Sequence, residues 1–265
     1  MSTAVVNKCC VVCGRSPDEA VPEPGTSDRL DFNRGRPVRC PCGHAYRQRF
    51  AGWRTHNIPY EERHIVEERL GEHGCDGHDF MFQRMLYHWT WRVTPPYTQT
   101  HLDIGCGMGG FLRASRDRGF SPTGAEACAT LANWVGDRYH YPVVLTSTCD
   151  ELRGYDLYDV VSLVEVVEHL TDDEPEKLLA AARRLVRADT GVLFVTTPNF
   201  DSRNRKAAGW DHWYQCTKMI RGHIEFYNAG SLRALVERHG FEVVHLWTEG
   251  DDDQLMMVAR TRHAR

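Results

Sequence analysis

The sequence predicts an α/β fold built on a parallel sheet, and three observations support this prediction. Residues 100–112 combine a short apolar strand, a glycine-rich turn and a helix that begins at about Gly110. A second strand over residues 120–127 ends in Glu126, about 20 residues beyond the turn, as one β-α-β step requires. Strand and helix patterns then alternate along the chain, which is typical of a parallel sheet covered on both faces.

The remaining elements follow from hydrophobic patterns and from proline and glycine at element ends. The run over residues 159–164 is apolar on both faces, as expected of a central strand. Pro175 stands in the first turn of one helix, and Gly240 closes another. After the second strand, the predicted strands cover residues 143–145, 159–164, 191–198, 241–247 and 255–259, the last two as a hairpin, and the predicted helices cover residues 131–139, 175–186 and 231–239.

The glycine-rich turn has the features of a cofactor site. Gly105, Gly107 and Gly109 form a G-x-G-x-G run directly after a strand that contains Asp103. Glycine permits positive φ and lets a ligand approach the backbone closely. Unpaired N–H groups at the start of the next helix can face the polar part of a nucleoside. The turn, with Asp103 before it and Glu126 after it, therefore predicts a bound nucleoside cofactor.

This D-x-G-x-G-x-G motif, followed by an acid at the end of the second strand, resembles motif I and the ribose-binding acid of the class I S-adenosylmethionine (SAM) methyltransferases. The resemblance extends from about residue 98 to the end of the chain. It implies a seven-stranded Rossmann-like sheet, SAM as the cofactor, and Glu126 as the acceptor of both ribose hydroxyls. The residues that it assigns to the cofactor site are Asp103, Gly105, Cys106, Gly107, Glu126, Cys149, Asp150 and Val164.

Composition limits the classes of protein that the chain represents. With 265 residues, 42% of them hydrophobic, it is long enough to form one large hydrophobic core and a small additional module. A formal net charge of −4 argues against a dedicated nucleic-acid binder, although arginines cluster between residues 29 and 54. No apolar run reaches 18 residues and no hydrophobic signal region is present, so we expect a cytoplasmic protein without a membrane partner.

Ten cysteines in a chain without a signal region favour metal ligands and buried thiols over a disulfide framework. Four of them form a C-x-x-C-G knuckle and a shorter C-P-C-G knuckle, which together predict a zinc ribbon with one structural zinc ion. The predicted ligands are Cys10, Cys13, Cys40 and Cys42, with His44 or Cys9 as alternatives because the second knuckle is short. The predicted parts of the chain are this ribbon over residues 1–52, a helical linker over residues 53–97 with helices at 60–70 and 80–89, and the methyltransferase domain over residues 98–265.

A second chemical motif follows the fourth strand. Glu165, Glu168 and His169 form E-x-x-E-H at the carboxyl end of that strand, where open α/β sheets bind ligands. If a helical turn starts here, the three side chains share one face. Two carboxylates and an imidazole suit a divalent cation such as Mg²⁺, Mn²⁺, Co²⁺ or Zn²⁺. The alternative is that Glu168 and His169 cap a helix and line a pocket without metal.

The E-x-x-E-H motif resembles two branches of the family. In the ubiquinone-biosynthesis O-methyltransferases, this segment binds a divalent metal near a phenolic hydroxyl. In the small-RNA 3′-end 2′-O-methyltransferases, two glutamates, a histidine and a later histidine hold the metal. His223 stands at the place of that later histidine, although the glutamate and the aromatic residue after it are transposed. The second resemblance implies His223 as a fourth ligand beside Glu165, Glu168 and His169.

These features predict a SAM-dependent methyltransferase that acts on the hydroxyl of a small molecule. The expected catalytic residues are His169, Glu165 and His223, which hold the cation or, without metal, supply a general base. Aromatic and basic residues over 200–221 predict a lid for a flat or anionic acceptor. The alternatives are N- or C-methylation of a specialised metabolite or sugar, RNA 2′-O-methylation, and a non-catalytic scaffold. The acceptor and the oligomeric state stay open.

Overall fold

A computed structural model of the protein describes residues 10–22, 36–48, 76–89, 99–146, 152, 157–170, 173–216, 223–250 and 252–262. In chain order, the strands are β1 (Val21–Pro22), β2 (Arg36–Arg39), β3 (Ala45–Gln48), β4 (Thr100–Ile104), β5 (Ser121–Glu126), β6 (Val143–Leu145), β7 (Val160–Val164), β8 (Val192–Pro198), β9 (Glu225–Phe226), β10 (Phe241–Glu249) and β11 (Gln254–Thr261). The α-helices are α1 (Asp76–His88), α2 (Gly110–Arg116), α3 (Ala129–Tyr139), α4 (Glu174–Leu185), α5 (Arg203–Cys216) and α6 (Ala229–Arg238).

The larger sheet has seven strands in the order β10-β11-β8-β7-β4-β5-β6. The five strands from β8 to β6 are parallel, and β11 lies antiparallel between β8 and β10. Strand β4 pairs with β5 on one side and with β7 on the other, so the topology switches direction at β4. Ligands bind at the carboxyl ends of strands at such a switch point. The α/β fold with a seven-stranded sheet is therefore confirmed.

The linker shows where the sequence prediction was less accurate. Helix α1 begins at Asp76, four residues before the predicted helix over 80–89, and so includes Gly77. Phe82 is fully buried and packs against Phe111 and Phe120, with ring centroids 5.0 and 5.2 Å away. This packing outweighs the low helix propensity of glycine. The helix predicted over residues 60–70 lies outside the described residues.

Apolar side chains cover both faces of the seven-stranded sheet. On one face, Leu163 belongs to a buried cluster with residues of α4 and α6, such as Leu178 and Leu235. On the other face, Phe111 stacks on Phe194 with ring centroids 5.6 Å apart. Burying one such side chain contributes about 1.5–3 kcal/mol, so these two layers carry most of the fold's stability. Within the described part of the chain, no helix is long and apolar enough to cross a membrane.

A second, four-stranded sheet connects the N-terminal segment to the rest of the protein. Its order is β1-β2-β3-β9, and all three strand pairs are antiparallel. Strands β1 to β3 lie within the predicted ribbon, whereas β9 lies in the predicted methyltransferase domain. Cys10, Val38 and Tyr46 belong to the same buried cluster as Leu163. The N-terminal segment therefore shares both a sheet and a core with the domain that follows it.

Candidate active site and cysteine cluster

The glycine turn between β4 and α2 has the conformation of a ligand cradle. Gly105, Gly107 and Gly109 have φ values of 76°, 52° and 74°, in the left-handed region that favours glycine. A Cβ atom on Gly105 would lie 2.7 Å from Val166 Cγ2, whereas one on Gly107 would meet no described atom within 4 Å. The turn is therefore closed at Gly105 and open to an approaching ligand at Gly107.

Glu126, at the end of β5, is fixed against this turn. Its Oε2 atom accepts a hydrogen bond from the Gly107 N–H at 2.8 Å, and its Oε1 atom accepts one from the Cys128 N–H at 2.9 Å. The side chain is half-buried. Each carboxylate oxygen keeps acceptor capacity beyond these bonds, so Glu126 fits the two adjacent hydroxyls of a ribose.

Asp103 lies behind the turn in a buried polar network that the sequence prediction missed. The Ser162 hydroxyl donates a hydrogen bond to Asp103 Oδ1 at 2.5 Å, and His101 Nε2 lies 2.7 Å from the same hydroxyl oxygen. Burial raises the pKa of Asp103 to about 7; the Ser162 hydrogen bond opposes this shift and the charge of Glu126 adds to it. Burial lowers the pKa of His101 to about 3, so its ring is neutral and donates to Ser162.

The sequence carries a signal for this network. His101 and Asp103 are two residues apart on β4 and so point to the same face of the sheet. Asp103 is also the register partner of Ser162 on β7. Polar residues at facing positions of two apolar central strands must satisfy one another when buried.

The other residues assigned to the cofactor take different positions. The Cys106 side chain is buried in an apolar cluster with Leu112, Leu131 and Trp134, so only its backbone faces the turn. Val164 ends β7 and is half-buried. Cys149 and Asp150 lie outside the described residues.

Glu165 does not share a helical face with Glu168 and His169, which corrects that part of the prediction. It follows β7 with φ 56°, an uncommon conformation for a residue other than glycine, and precedes the 3₁₀ turn Val167–His169. Its Oε1 atom accepts hydrogen bonds from Thr196 Oγ1 at 2.9 Å and Gln254 Nε2 at 2.5 Å. Burial, and next the charge of Glu168, raise the pKa of Glu165 to about 8.

Glu168, His169 and His223 come together as predicted. Each offers one potential ligand atom, and these atoms all lie within 4.8 Å of one another. The Glu168 carboxylate accepts a hydrogen bond from Thr197 Oγ1 at Oε2, at 3.0 Å. Its buried Oε1 atom has no hydrogen-bond partner among the described residues and lies 3.8 Å from His223 Nε2. A buried carboxylate oxygen without a hydrogen-bond partner is rare, because leaving it unpaired destabilises the folded protein. A cation bound by the trio would satisfy this oxygen.

The charges in this trio depend strongly on burial. Burial raises the pKa of Glu168 to about 7, and hydrogen bonds from its own backbone N–H and from Thr197 oppose the shift. Burial lowers the pKa of His223 to about 3, with the charges of His169 and Arg47 adding to the shift. His223 is therefore neutral near pH 7, which is the form of imidazole that binds metals. His169 is exposed at the edge of the site.

The four predicted zinc ligands also form a compact cluster. Their sulfur atoms all lie within 4.8 Å of one another. The sulfur atoms of Cys13 and Cys40 are 3.5 Å apart, and those of Cys10 and Cys42 are 3.8 Å apart. Zinc–sulfur bonds of about 2.3 Å in a tetrahedron place sulfurs about 3.8 Å apart, so the cluster fits a zinc ion.

Both cysteine knuckles have the same backbone design despite their different lengths. Gly14 and Gly43 follow them with φ values of 75° and 90°. The N–H of Gly14 donates to the Cys10 carbonyl, and the N–H of Gly43 donates to the Cys40 carbonyl, both at 2.8 Å. Of the alternative ligands, His44 is hydrogen-bonded elsewhere, to Glu225, and Cys9 lies outside the described residues.

The described part of the predicted lid contacts the N-terminal segment. Helix α5 is interrupted at Gly209, which has φ 73°. Before it, the Arg205 guanidinium lies 4.0 Å from the centroid of the buried Phe200 ring, and the Arg39 guanidinium lies 5.0 Å from the same centroid. Aromatic and basic groups thus meet beside β9, where the Phe200 and Phe226 ring centroids are 5.6 Å apart, while residues 217–222 lie outside the described residues.

Comparison with known proteins gives a consistent assignment. The family model for the methyltransferase domain matches residues 56–246, more than half of the chain. A ubiquinone biosynthesis O-methyltransferase from Pseudomonas paraeruginosa is 34% identical over 118 residues, which are 41% of this chain and 47% of the relative. The chain spans less than half the length of the curated relatives that it matches.

Two solved structures have a similar fold. The mitomycin 7-O-methyltransferase aligns with a TM-score of 0.58 at 18% identity, over 78% of this chain and 59% of the other. A SAM-dependent methyltransferase from Archaeoglobus fulgidus aligns with a TM-score of 0.56 at 14% identity, over 76% of this chain and 100% of the other. These two structures share the fold described above, and the family match leads to one conclusion: the chain belongs to the methyltransferase-domain family.

Proposed function

We propose that this protein is a SAM-dependent methyltransferase that methylates a hydroxyl oxygen of a small-molecule acceptor, with a divalent cation at Glu168, His169 and His223. The observation that carries the proposal is the buried, unpartnered Oε1 atom of Glu168 beside His223. Glu168 and His169 follow β7, the strand next to β4, so they stand at the edge of the sheet that carries the cofactor turn, and His223 joins them from the segment before β9. The curated relatives named as O-methyltransferases support oxygen as the methylated atom.

In this proposal, the residues around the turn between β4 and α2 bind and orient the cofactor. SAM supplies an activated methyl group on a sulfonium. Glu126 accepts hydrogen bonds from the ribose hydroxyls with the acceptor capacity that Gly107 and Cys128 leave free. Ser162 and His101 hold the Asp103 carboxyl in one orientation behind the turn. Fixing the donor in this way lowers the entropic barrier to transfer.

The acceptor site supplies charge and orientation. A divalent cation bound by the trio would lower the pKa of an acceptor hydroxyl. Thr197 holds Glu168 Oε2 and leaves Oε1 for the cation, and His223 is kept neutral by burial. Glu165, whose raised pKa keeps its carboxyl protonated near pH 7, is a neutral neighbour of Glu168 and not a competing charge.

A metal-free mechanism with a histidine base is the second candidate. His223 is poorly suited to this role because its pKa is lowered to about 3, whereas an efficient base has a pKa near the working pH. The candidate therefore depends on His169, which is exposed at the site. This metal-free mechanism applies equally to oxygen, nitrogen and carbon as the methylated atom.

The cysteine cluster belongs to the same proposal as a structural zinc site. All four of its candidate ligands are cysteines, and a set of four cysteines is typical of closed structural zinc sites rather than catalytic ones. The adjacent strands β1 to β3 contain only 2, 4 and 4 residues. Strands as short as these gain stability from a metal bound beside them.

The test is a methylation screen with isotopically labelled SAM. Separate pools of hydroxylated aromatic and aliphatic compounds, amines, sugars and RNA are incubated with enzyme, and products are identified by mass spectrometry. We expect label in an O-methyl group of a hydroxylated small molecule, and much less of it with Glu126→Ala at a SAM concentration that does not saturate the variant. The exposed Glu176→Ala is the matched control and should behave like the wild type. Label confined to nitrogen, carbon or RNA products would contradict the proposal.

A further inference from the structure

The strand that follows His223 belongs to the sheet of the N-terminal segment. Strand β9 begins two residues after His223 and pairs with β3 through Ala45↔Phe226 and Tyr46↔Glu225. Strand β3 begins directly after His44, close to the second cysteine knuckle. The segment after His223 therefore forms one strand, β9, of the four-stranded sheet. The other three strands of that sheet belong to the N-terminal segment that carries the cysteine cluster.

The residue between His223 and β9 is held from both sides. The N–H of Arg47 donates to the carbonyl oxygen of Ile224 at 2.8 Å. The N–H of Ile224 donates to the carbonyl oxygen of Glu168 at 2.7 Å. Ile224 thus connects the N-terminal segment with the turn that carries Glu168. Because His223 precedes Ile224 directly, these two bonds restrict how His223 meets the Glu168 carboxylate.

A buried side-chain pair reinforces this connection. His44 Nε2 lies 2.8 Å from Glu225 Oε2, and both side chains are almost completely buried. The carbonyl oxygen of His44 accepts a hydrogen bond from the N–H of Cys40 at 2.8 Å, so His44 is part of the second knuckle. Removing one member of such a pair leaves the other buried without its partner, and the local structure must rearrange.

The first knuckle is anchored separately. The Arg238 guanidinium, on α6, donates to the carbonyl oxygens of Val11 at 2.8 Å and Val12 at 2.9 Å. These bonds do not involve His44 or Glu225. They keep the N-terminal segment attached to the protein when the His44–Glu225 pair is broken. An experiment can therefore distinguish a shift of His223 from detachment of the whole segment.

We propose that His44 and Glu225 are positioning residues for the acceptor site, through which the cysteine cluster sets the geometry of His223 relative to Glu168. This inference rests on the proposed function in taking Glu168, His169 and His223 as the acceptor site. Neither His44 nor Glu225 belongs to that trio. They act on it through β9 and Ile224. The cysteine cluster is then more than a stabilising module, because its intact fold is a requirement of the active site.

The test compares His44→Leu, Glu225→Gln and His44→Gln in the full-length, zinc-loaded protein. The surface variant Arg15→Gln, which removes an exposed pair with Glu19 in the same segment, is the control. Two readouts are needed: the imidazole NMR signals of His223, assigned by their loss in His223→Gln, and Mn²⁺ binding measured by electron paramagnetic resonance. Zinc content and SAM affinity are measured on every variant.

We expect His44→Leu to shift the His223 signals and to weaken Mn²⁺ binding about 10- to 100-fold, with zinc content and SAM affinity unchanged. His44→Gln keeps an N–H donor toward Glu225 and should restore part of both readouts, and Arg15→Gln should change neither. If His44→Leu does not fold, Glu225→Gln carries the comparison, with the same direction expected.

The outcomes separate this inference from the proposed function. Unchanged His223 signals in a folded His44→Leu or Glu225→Gln protein would overturn the positioning role, whatever the metal result. Absence of Mn²⁺ binding in the wild type, together with shifted His223 signals in the variants, would contradict the cation of the proposed function and leave the positioning role supported.

Discussion

Oε1 of Glu168 lies 3.8 Å from Nε2 of His223, although the two residues follow different strands of the seven-stranded sheet. This separation is too long for a hydrogen bond. It is short enough for both atoms to bind one cation at about 2.1 Å each. The same carboxylate is held by Thr197 through its other oxygen, so the gap between Oε1 and Nε2 is a defined feature of the fold.

The first prediction concerns the pH dependence of metal binding. Because the pKa of Glu168 is raised to about 7, a proton occupies this carboxyl at lower pH and competes with the cation. His223 does not compete, since its pKa is lowered to about 3. We therefore expect the affinity for Mn²⁺ to rise as the pH increases through about 7, measured by titration at pH values on both sides. Glu168→Gln should weaken binding and reduce this dependence, leaving only the part that protonation of the third ligand, His169, contributes. An affinity of the wild type that is independent of pH would contradict the assignment of Glu168.

The second prediction concerns the cofactor. Glu126→Ala removes the carboxylate that we assign to the ribose hydroxyls, and hydrogen bonds to a charged group contribute about 1.5–3 kcal/mol each. We expect SAM affinity, measured by calorimetry, to fall accordingly, while Glu176→Ala leaves it unchanged. Asp103→Ala should weaken SAM binding as well. Equal affinity in the wild type and Glu126→Ala would show that the ribose is bound elsewhere.

The third prediction concerns stability in acid. Burial lowers the pKa of His101 from 6.5 to about 3, so the unfolded chain binds a proton more readily than the folded one. This contribution to stability is present above about pH 6.5 and is lost progressively toward pH 3, by about 2 kcal/mol at pH 5. His101→Gln keeps a donor toward Ser162 but does not titrate, so its unfolding free energy should fall less between pH 7 and 5.

Denaturant unfolding of both proteins at several pH values measures this difference. His140→Asn is a suitable control, because His140 is exposed at the end of α3 and asparagine tolerates its positive φ. Parallel pH profiles for the wild type and His101→Gln would mean that His101 does not stay neutral in the folded protein.

The fourth prediction concerns the cysteine cluster. We expect elemental analysis to find one zinc ion per wild-type chain and none in the Cys13→Ser/Cys40→Ser protein. Its N-terminal segment should also become sensitive to protease, because thiolate ligation stabilises a segment with short strands. Cys128→Ser changes a thiol outside the cluster and should keep the zinc. Zinc retained in the double variant would show that other residues bind it.

The features predictable from the sequence are those that depend on neighbours in the chain. The alternation of strands and helices reflects local periodicity, and the turn with Gly105 and Gly107 is a continuous motif. The juxtaposition of Glu126 with that turn follows from the fixed geometry of one β-α-β step. Glu168 and His169 are neighbours in one motif after a strand, whereas His223 was predicted from the resemblance to a family that has a later histidine at this place.

The features that the sequence did not predict depend on pairing between distant segments. The contact of His44 with Glu225 requires β9 to join the N-terminal sheet, and a strand of only two residues has no periodicity to detect. Glu165 was placed with Glu168 by helical spacing, but bonds from β8 and β11 hold it in a left-handed conformation that spacing does not reveal.

The most direct test of the account is the rate of methyl transfer before and after removal of weakly bound divalent cations. Enzyme that retains its thiolate-bound zinc is treated with a chelator and assayed with labelled SAM and the acceptor found in the screen. We predict that turnover falls about tenfold or more, that SAM binding persists, and that added Mn²⁺, Mg²⁺ or Co²⁺ restores the rate in the wild type but not in Glu168→Gln. Full turnover in the chelator, lost only when His169 is changed to alanine, would contradict the metal and assign the chemistry to a histidine base.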